Sequence, residues 1–240
     1  MKIITRLAIL VVLLVVTVGV ASAAFTGPYV DTWVTLGGTN NPAGNTLFVQ
    51  DSLGSCNDTQ IAYLQFDATE IATVTSASLV LTNGDTRIGI DTAPQLSIYG
   101  VEDFSPAALT GSNAPSTTGL TPIQTIPFPS NTLQYQKFTF GGAHDGLRAY
   151  IQSQAGGVVT LALSFSSSCN GNNTQVNFYS QRHSVDVTRR PQLTVEGTKP
   201  TAVDLATTSA ERVTWPMYAG LGALAVVLVA GLAVSRRRTA

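Results

Sequence analysis

Charge is scarce in this chain. Its 240 residues hold 13 Lys and Arg against 14 Asp and Glu. Between residues 25 and 197 the count is 12 acids against 6 bases. A surface that poor in cations does not favour nucleic acid, which needs clustered Lys and Arg, and it would repel acidic polymers unless its few bases cluster locally. Histidine is scarcer still. His144 and His183 are the only two, and neither has a partner at metal-ligand spacing; His144, beside Asp145, reads as a helix-start residue. No G-x-S-x-G elbow and no Gly-rich phosphate loop occur. Asp31, Asp67, Asp91 and Asp186 fall at strand or turn positions where local hydrogen bonding accounts for them. No catalytic residue is assigned, and the chain is read as non-enzymatic and free of cofactor and metal. No EF-hand spacing is present either, although Asp31 or Asp67 with loop carbonyls offers the hard oxygen ligands a structural calcium ion would take.

Long apolar runs are confined to the two ends. Lys2 and Arg6 precede an uninterrupted apolar stretch over residues 7–20, followed by Ala21-Ser22-Ala23-Ala24. A basic start, a short apolar segment and an A-x-A site predict a secretory signal peptide over residues 1–23, cut after Ala23 or Ala24. The second run, residues 217–234, leads straight into Arg236-Arg237-Arg238. With Trp215 and Tyr218 at one interface, it predicts a transmembrane helix over residues 215–234 and a cytoplasmic basic tail over 235–240. The expected arrangement is a single-pass protein of the cell membrane, its bulk (residues 25–197) outside the cytoplasm and residues 198–214 a linker. No sortase-type L-P-x-T-G occurs, so simple retention of the C-terminal helix is expected over processing.

Between these ends the apolar residues alternate with the two-residue period of half-buried strands. Strands are expected over 29–34, 46–49, 61–66, 76–81, 96–101, 136–140, 158–165, 176–179 and 192–195, with Leu64, Phe66, Ala77, Leu79 and Leu81 facing inward. Leu147, Tyr150 and Ile151 fall at helical spacing. They predict one short helix over 145–154, capped by Asp145 and ended by Gly156-Gly157. Residues 105–130, rich in Pro, Thr and Ser, read as a long surface loop. The fold class expected is all-β: a jelly-roll β-sandwich of about nine strands with one short helix. Cys56 and Cys169 are the only cysteines and lie in similar loops. An even count in an exported domain argues for a disulfide, with free thiols as the alternative. Asn57 and Asn172 head N-x-[ST] sequons, relevant in an organism that glycosylates such sites.

The order of motifs resembles a known family. Tyr29-Val30-Asp31-Thr32-Trp33-Val34, then Gly37, Asn41, Gly44 and Leu47-Phe48-Val49, are similar to the opening of DNRLRE-type domains, also classed as carbohydrate-binding module family 96. Tyr63-Leu64-Gln65-Phe66-Asp67 resembles that family's third strand, and residues 74–81 its fourth. The helix-then-strand unit 145–165 and the ending Phe178-Tyr179-Ser180 and Arg190-Pro191-Gln192-Leu193-Thr194-Val195 also fit. Gln181 and Arg182 stand where the family usually has a basic and then an acidic residue. The resemblance implies a jelly-roll sandwich that binds acidic polysaccharide such as alginate. Sugar recognition needs flat aromatic faces and planar polar groups. The aromatics able to serve are Trp33, Tyr63, Tyr99, Tyr135 and Tyr179, and the bases Arg87, Lys137, Arg148 and Arg182. Tyr179 with Arg182, supported by Trp33 and Tyr63, is the expected ligand site. Extracellular polysaccharide is the expected partner; the alternative is a structural or adhesive surface protein acting through protein–protein contacts.

Overall fold

A computed structural model describes residues 27–38, 44–51, 58–84, 94–129, 132–165, 174–184 and 186–199. The expected signal peptide, transmembrane helix and tail, together with Cys56, Cys169, Asn57 and Asn172, lie outside the described residues. Among the described residues no helix is long and apolar enough to cross a membrane.

The described residues form ten strands: β1 (Val30–Thr35), β2 (Thr46–Gln50), β3 (Gln60–Asp67), β4 (Thr73–Thr82), β5 (Gln95–Gly100), β6 (Gln124–Pro127), β7 (Lys137–Gly141), β8 (Val158–Phe165), β9 (Gln175–Tyr179) and β10 (Gln192–Thr198). Helix α1 (Asp145–Ser153) joins β7 to β8. Alternation writes the one-sided strands: Phe138 and Phe140 are buried around exposed Thr139, and Leu193 and Val195 around exposed Thr194. β3 and β8 differ, because both of their faces are covered and their sequences read as apolar runs.

All pairings are antiparallel. The larger sheet runs β6-β5-β8-β3-β2-β9, with β1 also on β3, and the smaller runs β10-β4-β7. β2 touches β3 through Gln50 opposite Gln60, so the β2–β9 ribbon turns towards the smaller sheet. One core fills the space between the layers. Leu64, Phe66, Ile98 and Leu161 meet Leu79, Leu81, Phe140 and Val195, closed by Leu47 and Phe178 from the ribbon and by Leu147 and Ile151 from α1. The described domain is therefore an all-β, two-layered antiparallel structure with one α-helix.

Three sequence expectations need correction. Residues 105–130 are not simply a surface loop. They contain the edge strand β6, and the segment before it lies over the outer face of the larger sheet. There Leu109, Phe104 and Ala114 pack on Val34, Ile61, Tyr63, Tyr99 and Ala162 as a second, smaller core. The half-exposed β6, ending on a proline, sits at a sheet edge where no further ladder bond is needed. Asp145 does not cap α1: His144 occupies that position without a side-chain bond, and Asp145 in the first turn pairs instead with Arg148 at 3.1 Å. The linker expected from residue 198 begins later, since Thr198 pairs with Thr73 in β10 and Lys199 holds Glu70 at 2.6 Å.

A further feature comes from β4. Phe178 of β9 bridges Asn83, just past the end of β4, and Gln192 of β10 pairs with Val80. β9 and β10 thus follow one edge of β4 in turn. Three steps along β4 correspond to fourteen along the other chain, and the excess, residues 180–191, is pushed out as an excursion.

The cover over the larger sheet depends on backbone contact at Gly111, whose amide donates to the Gly38 carbonyl at 3.0 Å. A Cβ there would collide with the carbonyl oxygen of Thr35. Gly111→Ala is expected to lower stability by about 1–3 kcal/mol in denaturant titration. It is also expected to make the Tyr63 phenol accessible to nitration, which the wild type resists.

Candidate functional site

The excursion and the turn before β7 meet over the end of β4. Leu133 to Gln136 form a tight turn: the Gln136 amide donates to the Leu133 carbonyl at 3.2 Å, and the Leu133 amide to Gln136 Oε1 at 3.2 Å. Tyr135 sits in this turn at φ 69°, and no other non-glycine among the described residues has a positive φ. A side chain in that left-handed region costs on the order of 1–2 kcal/mol. Asn83, wholly buried, holds it there. Its amide donates to the Gln136 carbonyl, its carbonyl accepts from the Tyr135 amide, and its side-chain nitrogen donates to the Leu133 carbonyl, each at 2.9 Å. The result is a tyrosine ring held 48% exposed.

Tyr179, at the end of β9, lies parallel to that ring, the centroids 6.2 Å apart and the planes within 8°. His183 packs against the Tyr179 ring, the centroids 4.2 Å apart. Arg189 places its guanidinium carbon 3.9 Å over the Tyr135 ring and 5.9 Å from that of Tyr179. Tyr135 and Arg189 are therefore stacked where solvent can reach them.

Two anchors set the excursion. At its root, Asp31 of β1 is 1% exposed. Its carboxylate accepts from Arg182 Nη1 at 2.9 Å and from the Gln181 amide, and its carbonyl accepts from the same Nη1 at 2.9 Å. Removing the Arg182 guanidinium would leave the buried Asp31 carboxylate poorly compensated. At the tip, Asp186 starts the short 3-10 turn Val187–Arg189. It accepts from Thr188 Oγ1 at 2.6 Å, from the Thr188 amide at 2.9 Å, and from Arg189 Nε at 2.9 Å. Arg190 Nε donates to the His183 carbonyl at 3.0 Å. Arg182, Arg189 and Arg190 thus concentrate half of the bases of residues 25–197 on one protrusion of an otherwise acidic domain.

The expected site residues are dispersed by this geometry. Tyr179 belongs to the cluster but is 6% exposed, serving as backing for Tyr135. Arg182 is turned to Asp31. Trp33 is half-buried against Phe48, ring centroids 5.0 Å apart. Tyr63 is fully buried beneath the cover, its hydroxyl donating to the Pro115 carbonyl at 2.7 Å, and burial raises its phenol above the ordinary value. Neither Trp33 nor Tyr63 presents an open ring face here. Sequence reasoning passed over Arg189; the signal available was Asp186-Val187-Thr188, the side-chain-capped turn that aims it. Asp31 and Asp67, the acids suited to calcium, are engaged by Arg182 and by Thr69 respectively, and the described residues contain no group of three or more metal-ligating side chains.

No family model matches this chain, and no curated protein matches its sequence.

The Asp186 carboxyl is held below its ordinary 3.8, first by the Thr188 hydroxyl, then by the Thr188 amide, with Arg189 adding less. A depressed acid stabilises the folded turn above the unfolded value and loses that contribution as pH falls through the folded one. The Arg189–Tyr135 contact should therefore persist in NMR spectra at pH 5 and fade only below 3.8. Thr188→Val should move the Asp186 titration up towards 3.8.

Proposed function

We propose that residues 25–197 form a jelly-roll module, displayed outside the membrane by the C-terminal helix, that binds extracellular polysaccharide without acting on it. The binding surface is the Tyr135–Arg189 platform, backed by Tyr179. The observation that carries this reading is Tyr135 itself: a large aromatic held in a left-handed conformation and half exposed, beneath a stacked guanidinium. Backbone strain that the surroundings maintain is concentrated at functional sites. An aromatic face suits the C–H surface of a sugar ring, and a guanidinium is a planar donor for hydroxyls or carboxylates. The resemblance to carbohydrate-binding module family 96 and the two-layered antiparallel architecture support the same reading.

Exposed Leu133 and Val187 flank the platform, at 67% and 59%. They favour a second reading, an adhesive or structural surface protein that docks another protein there. The two readings separate on Tyr135→Gly. Glycine adopts the positive φ freely, so relief of strain should offset the lost stacking and leave stability within about 1 kcal/mol of the wild type. Polysaccharide affinity, measured by affinity electrophoresis of the membrane-extracted chain, should fall about tenfold. If saccharides leave the wild type unretarded while it self-associates through Tyr135, the adhesive reading replaces the first.

A Cys56–Cys169 disulfide belongs to this proposal. β3 follows one cysteine and β8 precedes the other; the two strands are paired neighbours, with Ala62 opposite Leu163. That adjacency supports closure of a loop of more than 100 residues, worth on the order of 4–5 kcal/mol in the chain-entropy model. Alkylation without reductant should leave both thiols unlabelled by mass spectrometry, and reduction should lower the melting temperature. Two labelled thiols in protein from the oxidising compartment would remove the crosslink from the account.

A further inference from the structure

On the outer face of the larger sheet, a cleft of about 580 Å³ that shares no lining residue with the platform is lined by Gly100, Glu102, Asp103, Leu120, Tyr150 and Thr160, among others. That volume lies in the range of small-ligand sites. Its floor is the Tyr150 ring lying across Gly100, where a Cβ would strike the ring. The phenol is fixed by donation to the Thr160 carbonyl at 2.8 Å. One wall is apolar, with Pro115, Val158 and the 44% exposed Leu120.

The other wall is acidic. Asp103 accepts from Gln65 Nε2 and from the Phe104 amide at 2.8 Å, which fixes its direction without neutralising it. Glu102 is exposed, and the ion pairs of the described residues use neither acid. Burial, then the charges of Asp103 and Asp67, raise the nearby Tyr29 phenol. No Lys or Arg lines the cleft. A second observation points to a missing partner. Thr160 is 1% exposed, faces outward between the inward Val159 and Leu161, and its Oγ1 has no hydrogen-bond partner. A buried hydroxyl left so is unfavourable.

From this geometry we infer that the cleft binds an organic cation: an ammonium or guanidinium carried on an apolar stem, with the charge towards Glu102 and Asp103, the stem along Leu120 and Tyr150, and a donor reaching the orphaned Thr160 hydroxyl. A ring face with two carboxylates is a favourable setting for such a group. A divalent ion is the poorer fit, because it takes six or more oxygen ligands and the described residues gather no third metal-ligating side chain beside these two carboxylates.

The test is calorimetric titration of the membrane-extracted full chain with Nα-acetyl-lysine methylamide, with a glucosamine oligomer, and with the uncharged Nα-acetyl-norleucine methylamide. Either cation binding while norleucine does not supports the inference. Preference for the lysine probe identifies a basic protein side chain as the source, and preference for the amino sugar identifies a glycan. Glu102→Gln, an exposed change, should weaken cation binding about threefold to tenfold. Thr160→Val should weaken it while leaving the melting temperature equal or higher, a combination that a purely structural hydroxyl would not give. Equal binding of norleucine, no effect of Glu102→Gln, or displacement of the probes by stoichiometric calcium would overturn the inference. None of these outcomes bears on Tyr135, so the two sites fail or stand separately.

Discussion

Two strands must share a single edge of β4, and the chain joining them is far longer than the edge allows. β9 ends against Asn83 and β10 begins against Val80, so residues 180–191 have nowhere to go within the layer. Backbone hydrogen bonding fixes both ends of this segment. The expelled excursion carries three arginines to the place where the turn before β7 also arrives. Asn83 stands where these requirements meet. It continues the ladder with Gln136, bridges Phe178, and positions the Leu133–Gln136 turn. The strained Tyr135 conformation follows from that junction: three hydrogen bonds from one buried residue hold a turn whose third position would ordinarily be glycine.

Electrostatics then divides the arginines by task. Arg182, itself exposed, is committed to a carboxylate that is 1% exposed. Arg189 is aimed by Asp186 but keeps its flat face against Tyr135, where planarity and weak hydration make guanidinium a better stacking partner than ammonium. The domain thus presents a local cationic feature against an acidic background, while the unpaired Glu102 and Asp103 mark the opposite character on the outer face of the larger sheet.

Much of the fold was legible because burial and sequence period coincide. β4, β7 and β10 bury alternate residues, and their predicted spans differ from the observed ones mainly at the ends. β8 was recognised from its continuous apolar run. What escaped depends on distant partners. Tyr63 and Tyr99 sit out of phase with the main core, and by alternation alone they point to solvent; only the arrival of Leu109 and Phe104 over them makes that face an interior. β6 hides among prolines and threonines because an edge strand needs only one paired side. Tyr179 and Tyr135, two of the aromatics singled out by residue type, meet in the cluster at the end of β4. Which arginine is drawn away from the rings depends on Asp31, about 150 residues earlier in the chain, and local pattern carries no trace of that.

The Asp31–Arg182 pair also has a temporal meaning. A ribosome delivers β1 near the beginning and the excursion near the end, with a separation of 151 residues between the two partners. Until the later segment folds back onto β1, the Asp31 carboxylate lacks its guanidinium partner. Long-range closure of this kind is slow. A chain that ends before residue 182 lacks both the partner of the Asp31 carboxylate and the Arg189 that stacks on Tyr135, so the sealing of the first strand and the stacking of the platform depend on the same late segment.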